Sequence, residues 1–144
     1  MNLLDVREKL AAVLAPVEHS DPSVLVSLVD AIEPPALMLG WDEPWATPDT
    51  TAGQVVFVGH LAVMAVASRL MPGEGIGHLE ELVAFVLARL ATDPASWQWA
   101  QVSGPRVFTI AKTNYLAARI QVRTQLQVPP RATPSIVNYQ RVTI

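Results

Sequence analysis

The sequence has no cysteine among its 144 residues. That absence removes disulfides, thiolate metal sites and a cysteine nucleophile together, and it favours a reducing compartment. An apolar run long enough for a membrane is also missing. Residues 50–68 come nearest, but Thr50, Thr51, Gly53, Gln54, Gly59, His60 and Ser68 interrupt them, leaving too few consecutive apolar side chains to cross about 30 Å of hydrocarbon. No membrane association is expected. The N-terminus carries Asp5, Arg7, Glu8 and Lys9 where an export signal needs its apolar stretch, so synthesis in the cytoplasm is expected. Metal and phosphate signatures are lacking too. His60 has no companion at helical or hairpin spacing, because His19 and His78 are distant in sequence. Pro72-Gly73-Glu74-Gly75-Ile76-Gly77 contains neither Gly-x-Gly-x-x-Gly nor Gly-Lys-Ser/Thr, and Glu74 would oppose a phosphate. Glu80 and Glu81 are adjacent, and adjacent helix residues do not face one another, so they make no general acid–base pair.

Acids are missing from the last part of the chain. All thirteen lie at or before Asp93, opposed there only by Arg7, Lys9, Arg69 and Arg89, a net of −9. Residues 94–144 hold Arg106, Lys112, Arg119, Arg123, Arg131 and Arg141 with no acid, a net of +6, and the whole chain stands at −3. Such a division suits a nucleic-acid surface, internal pairing within one fold, or self-association of a basic face with an acidic one. Six spread cations without a basic cluster make direct nucleic-acid binding the weakest of the three.

What is present is a pattern for one domain with one core, at 51% hydrophobic residues. In Tyr115–Val128, Leu116, Ala118, Ile120, Val122, Leu126 and Val128 alternate with Tyr115, Ala117, Arg119, Gln121, Arg123, Gln125 and Gln127. Only Thr124 is polar on the apolar side. A period of two is a strand with a packed face and a wet face. Leu3, Val6, Leu10, Val13, Leu14 and Val17 recur at helical steps, with Asn2 as a cap and Pro16 as the stop. After the turn His19–Pro22, Val24–Val29 reads as a short strand, although Pro22 could equally open a helical turn. Pro34-Pro35 leads into a strand-length run, Ala36–Trp41. Trp41-Asp42-Glu43-Pro44-Trp45 and Ala46–Gly53 form a proline- and threonine-rich loop, in which Trp41 and Trp45 either cover their own core or anchor a partner. Gln54–Arg69 is apolar on both sides, as a central strand is, or one whose second face another subunit covers. A second helix over about 78–92 buries Leu79, Leu82, Val83, Val86 and Leu90, with Glu80 and Glu81 in its first turn and Arg89 near its last. Trp97–Ser103, Arg106–Ile110 and Tyr115–Val128, the last entered through Lys112-Thr113-Asn114, follow as an antiparallel meander. The expected fold is α+β: residues 1–128 as one domain, a mostly antiparallel sheet packed by two helices, and residues 129–144 as an extended C-terminal arm. The arm, with Ile136, Val137, Tyr139, Val142 and Ile144, is either a free end or a strand added to a neighbour's sheet.

This order of elements resembles the small tail-terminator or minor tail proteins of siphovirus-type phages, particularly those infecting actinobacteria. The residues that carry the resemblance are Asp30-Ala31-Ile32-Glu33-Pro34-Pro35-Ala36, Leu79-Glu80-Glu81-Leu82-Val83 and Tyr115-Leu116-Ala117-Ala118-Arg119-Ile120. The likeness spans roughly residues 1–128 and leaves the role of the arm open. It implies a virion protein, assembled in the host cytoplasm, that forms a ring with itself, generally a hexamer. Such a ring caps the tail tube protein and joins it to the head–tail connector protein, with DNA passing through the lumen without specific binding. The family carries no catalytic residues and no cofactor. On this chain the surfaces it needs would come from Arg119, Gln121, Arg123 and Gln125, from Trp41, Asp42, Glu43 and Trp45, and from Tyr139. Two alternatives from other classes stand beside it. One is a small ligand-binding or enzymatic α+β domain using His60, Tyr115 and Arg119. The other is a nucleic-acid-binding module using Arg119 and Arg123 with Trp97 and Trp99.

Overall fold

The structure is a computed structural model describing residues 2–25, 32–51, 54–69 and 75–126. A 3-10 turn, Leu3–Asp5, enters helix α1, Val6–Leu14; then come strands β1, Ser23–Leu25, β2, Ala36–Thr51, and β3, Gln54–Arg69. Helix α2, Gly75–Leu90, precedes strands β4, Gln98–Val102, β5, Arg106–Ile110, and β6, Thr113–Leu126. One six-stranded sheet runs in the order β1-β2-β3-β6-β4, with β5 also paired to β6. Among the described strands only β1 with β2 is parallel. The fold is α+β, a mostly antiparallel sheet packed by two helices.

Burial follows the period of the sequence. Leu116, Ala118, Ile120, Val122, Thr124 and Leu126 of β6 are all buried, on the face their alternation selects. They pack with Leu61, Val63, Ala65 and Ala67 of β3 and with Leu37 and Leu39 of β2. Leu79, Leu82, Val86 and Leu90 of α2 and Val6, Leu10 and Leu14 of α1, spaced by three or four residues, cover that face. Thr124, the polar exception, donates its hydroxyl to the Ser96 carbonyl at 2.7 Å, which satisfies a group that water cannot reach. Gly59 sits opposite Thr124; a Cβ there would lie 3.1 Å from the Leu126 side chain, so its absence lets that leucine lie flat on β3.

The largest departure from expectation is β2. Residues 41–51, expected as a loop, continue the strand, with a bulge between Trp41 and Ala46 that absorbs Asp42–Trp45. The ladder with β3 resumes at Ala46↔Gly59 and runs to Thr51↔Gln54, and the neighbour's long apolar strand outweighs the local proline and acid content. The meander is also corrected. β4 and β5 both pair with β6 and lie end to end along it, at Ile120–Arg123 and Thr113–Ala117 respectively. Gly104-Pro105 breaks this outer strand, as proline does at a sheet edge, and the Ser103 N–H still donates to the Arg119 carbonyl at 2.8 Å. The turn into β6 is Ala111-Lys112, both at positive φ (49° and 69°), the two-residue form that suits hairpin twist.

Smaller corrections have simple causes. α2 starts at Gly75, so Glu80 and Glu81 lie beyond its first turn. The N-cap of α1 is Asp5 rather than Asn2, and the helix ends before Val17, whose side chain is 78% exposed. The described part of 24–29 is strand, paired Ser23↔Ala36 to Leu25↔Met38; the remainder of that stretch, like Pro72–Glu74 and residues 127–144, lies outside the described residues. Finally, the wet face of β6 is dry at its start. Tyr115 and Ala117 are buried with Ile32, Ala36 and Val66 in a second cluster, flanked by Leu25, Met38, Met64, Phe108 and Ile110. Tyr115 completes it by accepting a hydrogen bond from the Ile32 N–H at 3.3 Å.

Arg89 joins the two helices. Its guanidinium donates to the Val13 and Ala15 carbonyls at 3.5 and 3.3 Å, meets Asp21 at 3.4 Å and lies 4.7 Å from the centre of the Phe85 ring. A cation at the C-terminal carbonyls of α1 suits the helix dipole. Asp21 in turn accepts the Val17 and Glu18 N–H groups at 2.8 and 2.9 Å. Those two donors, Glu18 first, hold its carboxyl below the usual range; burial opposes them, and Arg89 adds a smaller lowering effect. Replacing Arg89→Met should cost about 1.5–3 kcal/mol, the range for hydrogen bonds to a charged group, read as a lower denaturant midpoint with an unchanged slope. Because the folded pKa of Asp21 is lowered, its stabilisation is complete above the unfolded value of about 3.9 and is lost as pH falls through the folded value. Thermal melts should therefore separate the parent from Asp21→Asn near neutrality, and the two should converge in acid below about pH 4.

Candidate assembly interface

Both helices lie on one side of the sheet, so the opposite face presents the outward side chains of β2, β3 and β6. Register places them in rows. Arg119 lies level with Met64 and Met38, Gln121 with Ala62 and Gly40, Arg123 with His60, and Gln125 with Val58 and Thr47. Exposure rises along β6, from half-buried Arg119 and Gln121 to exposed Arg123 and Gln125. The methionines, Ala62 and Gly40 are half-buried, giving a band with an apolar middle and a polar margin. His60 is anchored within it, its Nε2 lying 2.8 Å from the Thr47 hydroxyl.

The bulge adds two features. Asp42 turns toward this face and binds the Arg119 guanidinium, reaching across β3. Its Oδ1 also accepts the Glu43 N–H at 2.9 Å, so the carboxylate is fixed from two sides. This internal pairing uses one cation of the basic half and one acid of the acidic half. Trp41 goes the other way, packing against the helix-covered core, and Trp45 stacks on it with ring centres 5.3 Å apart and planes 15° from parallel. Trp45 remains 59% exposed. Exposed Glu43 and Pro44 lie between the two rings in sequence.

The expected residues thus divide between two surfaces. Arg119, Gln121, Arg123 and Gln125 form one row that Asp42 joins through Arg119, while Trp41 and Trp45 form a stack on β2, past the residues that pair with β1, with Glu43 in the bulge between them. Tyr139 lies outside the described residues. The set His60, Tyr115 and Arg119 is not brought together: Tyr115 is buried at one end of β6, and His60 is level with Arg123 eight residues further on, about 26 Å along a strand. Trp97 is 3% exposed, so its ring is core and offers no stacking surface. Among the described residues, no group of three acidic or histidine side chains converges as a metal site would need, and no helix is long and apolar enough to cross a membrane.

Sequence reading missed the Asp42–Arg119 pair, because its partners stand 77 residues apart and no local pattern couples them. The continuation of β2 did carry a signal: only Ala52 and Gly53 separate Thr51 from Gln54, a two-residue hairpin spacing. No protein-family model matches the sequence, and no curated protein matches it.

The pair is testable by a double-mutant cycle. Asp42→Asn, Arg119→Gln and their combination should give a coupling energy on the order of 1 kcal/mol in denaturant unfolding.

Proposed function

We propose that the chain is a structural subunit of a phage virion, a tail-terminator protein whose ring caps the tail tube and joins it to the head–tail connector. The observation that carries this reading is the one-sided sheet. Two helices cover one face, and the other offers an apolar band of Met38, Ala62 and Met64 rimmed by Gln121 and Arg123. An antiparallel sheet with a solvated face ordinarily alternates cleanly to polar there, and this one does not. Exposed charge among the described residues supports it as well. Glu43, Glu80 and Glu81 are exposed on one set of elements, and Arg106, Lys112 and Arg123 on another, which is compatible with a head-to-tail contact that closes into a ring. Two of the stretches that resemble tail terminators form the middle of α2 and the start of β6. In this role the chain needs no cofactor and no catalytic residue, and DNA crosses the lumen without sequence recognition. Generally such a ring is a hexamer, built in the host cytoplasm and carried in the virion.

One observation favours the ligand-binding alternative. Asp21, His78 and Glu81 line a common cleft of about 350 Å³, although Asp21 is already held by Arg89 and two N–H groups.

Light scattering on a gel-filtration peak followed by negative-stain imaging tests the reading. Closed rings are expected; a monomer at every concentration and salt tested would overturn it. Arg123→Glu is the informative substitution, because Arg123 is exposed whereas reversal of Arg119 would also break its bond to Asp42. The variant should keep the parent's unfolding midpoint and lose assembly, and unaltered rings would remove this part of β6 from the contact.

A further inference from the structure

We propose that the stacked Trp41–Trp45 pair is a docking site for the proline–arginine segment 129–134 of a second copy of this chain. The site comes first. Trp45 keeps 59% of its surface in water although its neighbour Trp41 is packed on the core. Leaving so large a ring exposed forgoes a favourable burial, and two rings already fixed 5.3 Å apart offer a flat surface whose ordering cost is already met. Glu43, exposed and between them in sequence within the bulge, has no ion-pair partner among the described residues.

The chemistry of that surface selects the occupant. Flat aromatic rings take extended proline-rich chain, which loses little entropy on docking. A carboxylate in the same bulge takes an arginine, whose guanidinium also lies well on an indole face. Pro129-Pro130-Arg131-Ala132-Thr133-Pro134 supplies those groups in one stretch. Charge agrees: residues 127–144 carry Arg131 and Arg141 and no acid, whereas β2 carries Asp42, Glu43 and Asp49 and no base.

Direction assigns the occupant to another copy. β6 ends at Leu126 opposite Phe57, whereas Trp45 immediately precedes Ala46, which pairs with Gly59. Chain leaving Leu126 along β6 therefore moves away from its own Trp45. To reach its own Trp45 the segment would have to reverse between Leu126 and Arg131, and light–heavy cross-linked pairs distinguish that path from docking on a second copy. Residues 127–144 span up to about 60 Å when extended, enough to reach a neighbour. The inference deepens the self-association within the ring reading and rests on it only for the presence of a second copy.

The absence of cysteine makes the test clean. Ala132→Cys gives a single thiol in the full chain, to be labelled with benzophenone maleimide and irradiated in an equal mixture of light and heavy-isotope chains. Expected are cross-links from position 132 to the peptide containing Trp41–Trp45, with light–heavy pairs among them. Adding Arg131→Glu should lower their yield by about tenfold, the order of one lost charged hydrogen bond. The Trp45 indole N–H resonance of the unlabelled parent, identified with Trp45→Phe, should also shift on dilution. Cross-links scattered over other surfaces, or pairs of one isotope only, would overturn the assignment, as would an indole signal unmoved by dilution. Rings with no such cross-link would sink this contact and leave the ring standing; particles without closure that show the cross-link would do the reverse.

Discussion

The rest of the structure depends on removing the facing rows of β3 and β6 from water. Leu61, Val63, Ile120 and Val122 lie in adjacent register and are fully buried, and each such aliphatic side chain contributes about 1.5–3 kcal/mol when removed from water. No single strand can bury its own row, so the two helices are drawn onto the same face. With both on one side, the opposite face is left to whatever the strands themselves can cover. Ile32, Tyr115, Phe108 and Ile110 close one end of it, and the middle keeps its half-buried methionines.

Charge is placed in service of that layout. Arg89 sits where the carbonyls ending α1 meet α2, and Asp21 holds it there while satisfying the turn that follows. Arg119 and Asp42 act similarly across the open face, tying the bulge of β2 to β6. The division of acids and bases along the sequence is therefore partly an internal device. Among the described residues, Glu43, Glu80, Glu81, Arg106, Lys112 and Arg123 are exposed and stand outside both of these pairs.

The bulge in β2 is where local chemistry and tertiary demand disagree most. Trp41-Asp42-Glu43-Pro44-Trp45 reads as a loop by every local rule, since it holds proline and acids in place of alternation. Its strand neighbours nevertheless hold both ends in register, and the extra residues are expelled from the ladder as a bulge. The consequence is structural: the same four residues that break the ladder send Asp42 to one face and stack Trp45 against Trp41.

The sequence by itself determined the class of fold, the buried row of β6, the apolar β3 and the covering stripes of both helices, because periods of two and of about 3.6 are set by backbone geometry within a few residues. It also determined that Arg119, Gln121, Arg123 and Gln125 share one row. Only the tertiary structure decided that Arg119 is spent on Asp42, that Tyr115 and Ala117 lie in a second core, that β4 and β5 share one side of β6, and that Trp45 is left exposed on Trp41. Each of those outcomes rests on partners far apart in the chain, and a pattern read along one segment carries no information about which distant segment will lie beside it.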